Sequence, residues 1–269
     1  MGADLFDRYP EWTTLADELL GYPIRELCVD DPRGELGQTR FTQPALFTVN
    51  ALTYRARLDD GKEVPAFVAG HSLGEYNALL AAGVFDFASG LSLVARRGQI
   101  MAQVSGGGMA AVIGMEPSAI QDVLNASEAG RRLDVANFNS YDQTVIAGPK
   151  DDLATVKAQF EAAGVRAYIP LNVSAPFHSR YMSEAQAEFA ASLDTVVFNP
   201  PQIPVISNVT GRPYDADLLR QTLSEQIGNS VRWLDTIVYL LSQPDATFEE
   251  VGPGSVLTKL VAQIRKRLR

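Results

Sequence analysis

One stretch, VPAFVAGHSLGEYNALL at residues 64–80, constrains the fold more than any other part of the sequence. It predicts a short apolar strand, a sharp turn centred on Ser72, and then a helix. Gly70 and Gly74 flank the serine and are expected to leave room for a strained backbone that exposes the hydroxyl at the end of the strand. The alternative is a tight turn with an incidental serine. The G-x-S-x-G pattern in this context favours Ser72 as a nucleophile.

The composition excludes several classes of function. The formal net charge of −9 argues against a general nucleic-acid binder, because phosphate binding needs clustered Lys and Arg. No apolar run reaches the roughly 18 residues of a membrane-spanning helix, and no signal peptide opens the chain. The single cysteine, Cys28, permits no internal disulfide and favours a cytoplasmic location. With 2 histidines and no Cys/His cluster, the sequence also argues against a metal site.

Apolar runs alternating with amphipathic stretches predict an α/β fold in two parts. In the larger part, residues 1–107 and 174–269, helices are expected at 4–20, 44–54, 75–82, 86–104, 183–193, 217–227, 233–241 and 255–269, and strands at 64–69, 203–208 and 247–251. In the smaller part, residues 108–173, the expected order is strand 109–115, helix 117–128, strands 133–138 and 144–147, helix 150–163 and strand 166–173. This β-α-β-β-α-β order is that of a ferredoxin-like subdomain, inserted into the larger domain.

A serine hydroxyl needs a base to take its proton, and only two histidines are available. His71 precedes Ser72 in a strand-like arm, where neighbouring side chains point to opposite faces, so it is poorly placed to reach the serine oxygen. His178 follows the last predicted strand of the smaller part, in a loop that could close over the site. A lone histidine is more often a surface or capping residue, but together with Ser72 the pattern favours His178 as the base.

Two adjacent arginines differ in their helical neighbours. Arg96 shares a polar stripe of its helix, whereas Arg97 shares an apolar stripe with Leu93, Ile100 and Val104. A guanidinium directed into a core needs an anionic partner, since an unpaired buried charge is costly. That partner is either a structural acid or the carboxylate of a substrate, which guanidinium geometry matches with two hydrogen bonds. Periodicity alone leaves both interpretations open.

Five motifs together resemble one family, the malonyl-CoA:acyl-carrier-protein transacylases and the related acyltransferases of polyketide synthases. The motifs are GHSLGEY at 70–76, RRGQIM at 96–101, ANFNS at 136–140, APFH at 175–178 and VGPGSVLTKL at 251–260. The resemblance covers nearly the whole chain and looks closest to free-standing acyltransferases that serve polyketide synthases. It implies a large α/β-hydrolase-like domain with an inserted ferredoxin-like subdomain, in agreement with the predicted order of elements.

The resemblance also implies a Ser-His dyad and its partners. Ser72 would attack the malonyl thioester, His178 would take the proton, and the pantetheine thiol of an acyl carrier protein would then receive the malonyl group. The backbone carbonyl of Gln226 would orient the histidine, and Arg97 would bind the malonyl carboxylate. The N–H of Leu73 would donate to the oxyanion. Malonyl-CoA is the expected substrate, and no bound cofactor is implied.

The same resemblance indicates which acyl group is chosen and where the chain departs from the pattern. Phe177 and Leu73 fit malonyl rather than methylmalonyl, and Phe177 and His71 are the expected positions of acyl selectivity. Members of the family begin with a strand and a GQGSQ-type loop that supplies a second oxyanion donor, whereas this sequence opens at MGADLF. Either the sequence is truncated relative to the working protein, or this polypeptide is impaired; we expect truncation or a misplaced start, because every other functional position is intact.

Two other hypotheses compete with the transacylase. An acyl-thioester hydrolase could use the same serine, but hydrolysis needs no carboxylate clamp, so Arg97 in an apolar stripe argues against it. A non-catalytic scaffold that binds a synthase or carrier protein is the third hypothesis, and the absent N-terminal loop is its only support. Stable acylation of Ser72 would exclude it.

Overall fold

The computed structural model describes residues 1–268, in which helices surround a short parallel sheet and a four-stranded antiparallel sheet. The first part of the chain contains α1 (Ala3–Arg8), α2 (Pro10–Leu20), α3 (Ile24–Val29), α4 (Thr39–Asp59), β1 (Val68–Ala69), α5 (Gly74–Ala81) and α6 (Phe87–Gln103). The prediction of one helix at 4–20 is wrong, because the chain breaks at Tyr9 and Pro10 begins α2. The helix predicted from Pro44 begins at Thr39, with the proline inside it.

The middle of the chain forms the antiparallel sheet and its helices. It contains β2 (Gly107–Ile113), α7 (Pro117–Asn125), α8 (Glu128–Arg131), β3 (Asp134–Ser140), β4 (Gln143–Pro149), α9 (Lys150–Ala162) and β5 (Ala167–Pro170). The strand order is β3-β4-β2-β5, with each neighbouring pair antiparallel. This order and the two intervening helical segments confirm the predicted ferredoxin-like arrangement.

Both faces of the four-stranded sheet are buried, because successive side chains of a strand point to opposite sides. On β2, Ala110 and Val112 belong to a cluster with residues of α7 and α9. Met109 and Ala111 belong to a second cluster, against which Phe177 packs. The sheet is therefore held between its own helices on one face and the loop that carries Phe177 on the other.

The last part of the chain returns to the first. It contains a 3-10 turn (Arg180–Met182), α10 (Ser183–Leu193), β6 (Val205–Ile206), a second 3-10 turn (Ala216–Leu218), α11 (Leu219–Glu225), α12 (Trp233–Leu241) and α13 (Val256–Arg267). β6 pairs in parallel with β1, and the largest buried cluster contains residues from α4, α5, α6, α10 and α11. The α/β class is therefore confirmed. Within residues 1–268 no helix combines the length and apolar character needed to cross a membrane.

The predicted strand at 247–251 is wrong. Its backbone makes no hydrogen bond to another backbone group within the described chain, whereas a strand exists only through such pairing. A cleft of about 1000 Å³ lies between this segment and the residues around β1, so the two apolar runs do not meet. The strands predicted at 64–69 and 203–208 are also longer than the observed ones. Only the residues that pair with each other, Val68–Ala69 and Val205–Ile206, form β1 and β6.

Candidate active site

Ser72 lies in the turn between β1 and α5, with a backbone φ of 50° that non-glycine residues rarely adopt. A Cβ atom on Gly70 would overlap the backbone carbonyl of Gly74, so only glycine fits at position 70, two residues before the serine. The expectation that Gly74 also provides room is wrong, since a Cβ there would meet nothing within 4 Å. Asn208, two residues beyond β6, holds the turn by accepting from the Ser72 N–H at 2.7 Å and donating to the Gly70 carbonyl at 2.7 Å.

His178 reaches the serine from the loop that follows β5. Its Nε2 atom lies 2.8 Å from Ser72 Oγ, and its Nδ1 atom lies 2.9 Å from the backbone oxygen of Gln226. Gln226 is the C-cap of α11, where helix carbonyls lack partners within their own helix. Because a carbonyl oxygen only accepts, Nδ1 carries the proton and Nε2 presents its lone pair to the serine hydroxyl. The hydrogen bond to Gln226 therefore orients His178 so that Nε2 can accept the serine proton.

His71 lies on the other side of the turn. Its Nε2 atom is 2.8 Å from Oδ1 of Asn139 on β3, and its ring packs against Trp233 with 5.7 Å between the ring centroids. It also lines the cleft beside β1. The structure thus brings His178, and not His71, to the Ser72 oxygen, as the alternation of side chains predicts.

Arg97 projects from the apolar face of α6 and is only 1% exposed. Its Nη1 donates to Gln43 Oε1 at 2.7 Å, and its Nη2 donates to Gln226 Oε1 at 2.9 Å and to Ser72 Oγ at 3.2 Å. Its Nε is buried without a hydrogen-bond partner among the described residues. Arg96, by contrast, is exposed and forms an ion pair with Glu188 at 2.7 Å. The polar face of α6 that carries Arg96 is thus exposed and the apolar face that carries Arg97 is buried, as the periodicity predicts.

The guanidinium of Arg97 has only neutral hydrogen-bond partners. No acid of residues 1–268 lies within ion-pair distance of it, although Glu75 is close enough to influence its charge. The interpretation of Arg97 as one half of a direct structural ion pair therefore fails. A buried cation 3.2 Å from the serine oxygen, with no direct ionic partner among residues 1–268, is suited to an anionic group brought in by a ligand.

Burial and charge set the protonation of the site. Burial, followed by the positive charge of Arg97, lowers the pKa of His178 to about 3. The imidazole is therefore neutral near pH 7 and able to accept a proton. Burial raises the pKa of Glu75 to about 7, although hydrogen bonds from Tyr214, Asn208 and Gln226 favour its charged form.

The remaining predicted positions surround the dyad. The N–H of Leu73 makes no hydrogen bond within the part of the chain that the structure describes, so this donor points to no protein acceptor. Leu73 also lines the cleft beside β1. Phe177, next to His178, packs against both the largest core cluster and the second face of the antiparallel sheet.

Four residues that contact the site were not among the predicted ones, namely Gln43, Glu75, Asn208 and Tyr214. Gln43 shares a buried stripe of α4 with Phe47 and Ala51, so a polar residue in an apolar stripe was available as a signal. Asn208 follows a strand parallel to β1, and the carboxyl ends of parallel strands meet at one edge of a sheet. Nothing local in the sequence marks Tyr214.

Comparisons with known proteins agree with this geometry. Residues 12–267 match the family model described as acyl transferase domain. The chain is 49% identical to the polyketide biosynthesis malonyl CoA-acyl carrier protein transacylase of Bacillus subtilis, over 99% of this chain and 92% of that protein. The crystal structure of a malonyl CoA-acyl carrier protein transacylase from Burkholderia pseudomallei superposes with a TM-score of 0.95, at 49% identity, over 99% of this chain and 93% of that one.

A further solved structure is similar at 36% identity and a TM-score of 0.93, over 99% of this chain and 88% of that one. It contains a malonyl-transacylase in complex with its type II polyketide synthase acyl-carrier protein. The family model and the nearly full-length identities cover the turn that carries Ser72, the loop that carries His178 and both sheets. The chain therefore belongs to the acyl transferase domain family, among the malonyl-CoA:acyl-carrier-protein transacylases.

Proposed function

We propose that this protein transfers a malonyl group from malonyl-CoA to the phosphopantetheine thiol of an acyl carrier protein, through an acyl ester on Ser72. One observation carries the proposal. Ser72 Oγ lies 2.8 Å from the accepting nitrogen of His178 and 3.2 Å from the guanidinium of Arg97. A nucleophile, its base and a carboxylate-binding cation thus meet at one oxygen, which is the chemistry that a malonyl thioester requires.

In the first half-reaction, His178 Nε2 takes the proton from Ser72 Oγ while this oxygen forms a bond to the thioester carbonyl carbon. The carbonyl oxygen gains negative charge, and the N–H of Leu73, which has no hydrogen-bond partner within residues 1–268, would stabilise it. When the intermediate collapses, the carbon–sulfur bond breaks and the proton on His178 passes to the sulfur of coenzyme A. Malonyl-Ser72 and free coenzyme A are the products.

The second half-reaction reverses these roles. The phosphopantetheine thiol of the carrier protein gives its proton to His178 and attacks the carbonyl carbon of malonyl-Ser72. The bond between that carbon and Ser72 Oγ then breaks, and His178 returns the proton to the serine. The neutral resting state of His178 suits both halves, because it must accept a proton at the start of each.

Arg97 supplies the preference for an acyl group with a free carboxylate. Its partners Gln43 and Gln226 orient the guanidinium without neutralising it, so its charge remains available to the malonyl carboxylate. Holding the far end of the acyl group also orients the thioester carbonyl towards Ser72. An acetyl group lacks this contact and should be loaded less readily.

The same proposal covers the setting of the enzyme. Supply of malonyl units to a polyketide synthase is the role that its relatives' names support, and supply to fatty-acid synthesis is the alternative setting. Apart from the two substrates, the nucleophile, the base and the charge-stabilising groups named above all belong to this chain, so we propose no bound cofactor. We also propose a cytoplasmic location, supported by the buried free thiol of Cys28. We also propose that residues 108–173 form the small subdomain and that residues 1–107 and 174–269 form the large domain.

Intact-mass measurement after brief exposure to malonyl-CoA tests the proposal. A gain of one malonyl group is expected, and it should be absent in Ser72→Ala. Parallel exposures to acetyl-CoA and methylmalonyl-CoA should give slower gains. Rapid release of free malonate without transfer to a carrier protein would instead indicate a thioester hydrolase, and full labelling of Ser72→Ala would contradict the assignment of the nucleophile.

A further inference from the structure

Glu75 lies three residues after the nucleophile, in the first turn of α5, and is fully buried. One carboxylate oxygen accepts from the backbone N–H of Asn208 at 2.9 Å and from the Tyr214 hydroxyl at 2.6 Å. The other accepts from Nε2 of Gln226 at 2.6 Å. A buried carboxylate with three donors is costly to desolvate, yet no step of the proposed reaction uses it directly.

The Gln226 side chain connects this carboxylate to the reacting groups. Its Nε2 donates to Glu75 and to the backbone oxygen of Ser72 at 2.8 Å, while its Oε1 accepts from Nη2 of Arg97 at 2.9 Å. An amide has one donating and one accepting end, and an ionised carboxylate only accepts. Glu75 therefore fixes which end of the amide faces Arg97.

The ionised form of Glu75, which predominates above its pKa of about 7, keeps a negative charge near Arg97 without a direct ion pair. A carboxylate in contact with the guanidinium would occupy the donors that a malonyl carboxylate needs. With the Gln226 amide in between, Glu75 favours the charged form of Arg97 from a distance and presents to it only a neutral oxygen.

We propose that Glu75 is a positioning residue for malonyl selectivity, which acts through the Gln226 side chain by holding an acceptor against Arg97. This inference rests on the proposed function. Replacement of Glu75 by glutamine would present an amide NH₂ to the Gln226 NH₂, and relief of that conflict by an amide flip would turn a donor towards Arg97. The guanidinium would lose an acceptor and the orientation that this acceptor provides.

The test compares rates of acyl-enzyme formation from malonyl-CoA and acetyl-CoA, by quenched-flow intact mass, in four proteins. These are the unaltered enzyme, Glu75→Gln, Arg97→Ala and the double variant. In Glu75→Gln the malonyl-to-acetyl rate ratio should fall about tenfold, the scale of one hydrogen bond to a charged group. In the Arg97→Ala background the same change should leave the ratio unaltered, because the residue through which Glu75 acts is gone.

Tyr214→Phe is the matched control. It removes one donor to the same carboxylate but leaves the Gln226 contact, so the rate ratio should stay within about twofold of the unaltered enzyme's. If Glu75→Gln is not folded at the assay temperature, Gln226→Met serves as a second variant. It removes the side-chain amide that links Glu75 to Arg97 and retains the backbone carbonyl that binds His178. It should lower the same ratio.

The outcomes separate the two proposals. Equal losses for both acyl groups in Glu75→Gln, or an unchanged ratio in Gln226→Met, would overturn the role of Glu75 and leave the proposed function standing. A loss of ratio of the same size in the Arg97→Ala background would overturn it as well. If the unaltered enzyme formed no malonyl ester at all, the proposed function would fall and this inference with it.

Discussion

His178 and Gln226 are joined by a hydrogen bond in which the ring Nδ1 donates to a backbone oxygen 2.9 Å away. A side-chain carboxylate at that place would stabilise the imidazolium, whereas a carbonyl orients the ring with only a partial charge. Because Gln226 ends α11, this oxygen is one that the helix itself leaves unpaired. The dyad thus obtains its orientation from a helix terminus, and His178 stays neutral beside a cation.

Loss of the base should slow acylation without unfolding the protein. His178→Ala is expected to reduce the rate of malonyl-enzyme formation by about 10²- to 10⁴-fold, the usual contribution of a positioned base. Rapid-quench intact mass measures the rate, and a thermal melt checks the fold. His71→Ala is the control and should have a much smaller effect, because His71 contacts Asn139 and not the serine oxygen. An unchanged rate in His178→Ala would remove it as the base.

Removal of the buried cation should change substrate preference. Arg97→Ala is expected to lower malonyl loading by roughly 10- to 100-fold, the worth of hydrogen bonds to a charged group, while acetyl loading is unchanged or higher. Arg96→Ala tests charge removal at the adjacent position, where the side chain is exposed and paired with Glu188, and should leave both rates unaltered. Equal losses for the two acyl groups in Arg97→Ala would make its role structural.

The buried histidine should make folding stability sensitive to acid. The pKa of His178 is about 3 in the folded protein and near 6.5 in the unfolded chain, so between these values only the unfolded chain binds the proton. The stabilising contribution of the neutral ring is therefore complete above pH 6.5 and is lost as pH falls towards 3. Glu75, with its pKa raised to about 7, acts in the opposite sense above its ordinary value of 4.5.

The contribution of His178 is isolated by difference. Urea unfolding of the unaltered enzyme and of His178→Ala, measured from pH 7.5 to pH 5, should show the stability gap between them narrowing as the pH falls. Glu75 is present in both proteins and largely cancels. A gap that stayed constant over this range would mean that the histidine is not held neutral by its surroundings.

Replacement by alanine should change the free energy of unfolding differently at the two glycines that flank Ser72. Gly70→Ala is expected to destabilise the fold by about 3 kcal/mol, because its Cβ would overlap the backbone of Gly74. Gly74→Ala should leave stability within about 1 kcal/mol, since it begins α5 and has open space around it. Chemical denaturation of both variants measures the difference. Equal destabilisation in the two variants would contradict the view that only position 70 excludes a Cβ atom.

The residue before the histidine should tune the choice between malonyl and methylmalonyl. Phe177→Ala removes bulk next to His178, and the ratio of methylmalonyl to malonyl loading should rise about tenfold, the worth of one methyl group in a pocket. Competition between the two thioesters, followed by intact mass, measures the ratio. Phe177 also packs against two core clusters, so a thermal melt is the necessary control. A ratio that did not move in a folded variant would remove Phe177 from selectivity.

Much of this site was predictable because its signals are local. The G-x-S-x-G turn between a strand and a helix located Ser72, and helical periodicity separated buried Arg97 from exposed Arg96. The β-α-β-β-α-β order also emerged from short-range patterns, since each strand there finds a partner within the same segment. The contact between His178 Nδ1 and the Gln226 carbonyl was implied only by family resemblance, as backbone groups carry no sequence signal.

Apart from the helix break at Tyr9 and Pro10, the failures involve the surroundings of a residue in the folded chain, which local patterns do not report. Residues 247–251 are predicted to form a strand, but their backbone has no pairing partner within residues 1–268, and sequence periodicity does not report a neighbour. Glu75 and Tyr214 meet across 139 positions, and their burial depends on the packing of β6 against β1. Gly74 fits the motif, yet the space around it is set by the cleft and not by the turn.

The attachment of the small sheet to the catalytic loop has a mechanical consequence. Asp134 on β3 accepts hydrogen bonds from both the backbone N–H and the guanidinium of Arg180, two residues after His178. Two backbone hydrogen bonds also join β3 to Val231, on the segment between α11 and α12. Any rigid displacement of the sheet must break these bonds or carry the histidine away from Ser72. The position of the small sheet and the alignment of His178 with Ser72 are thus mechanically coupled.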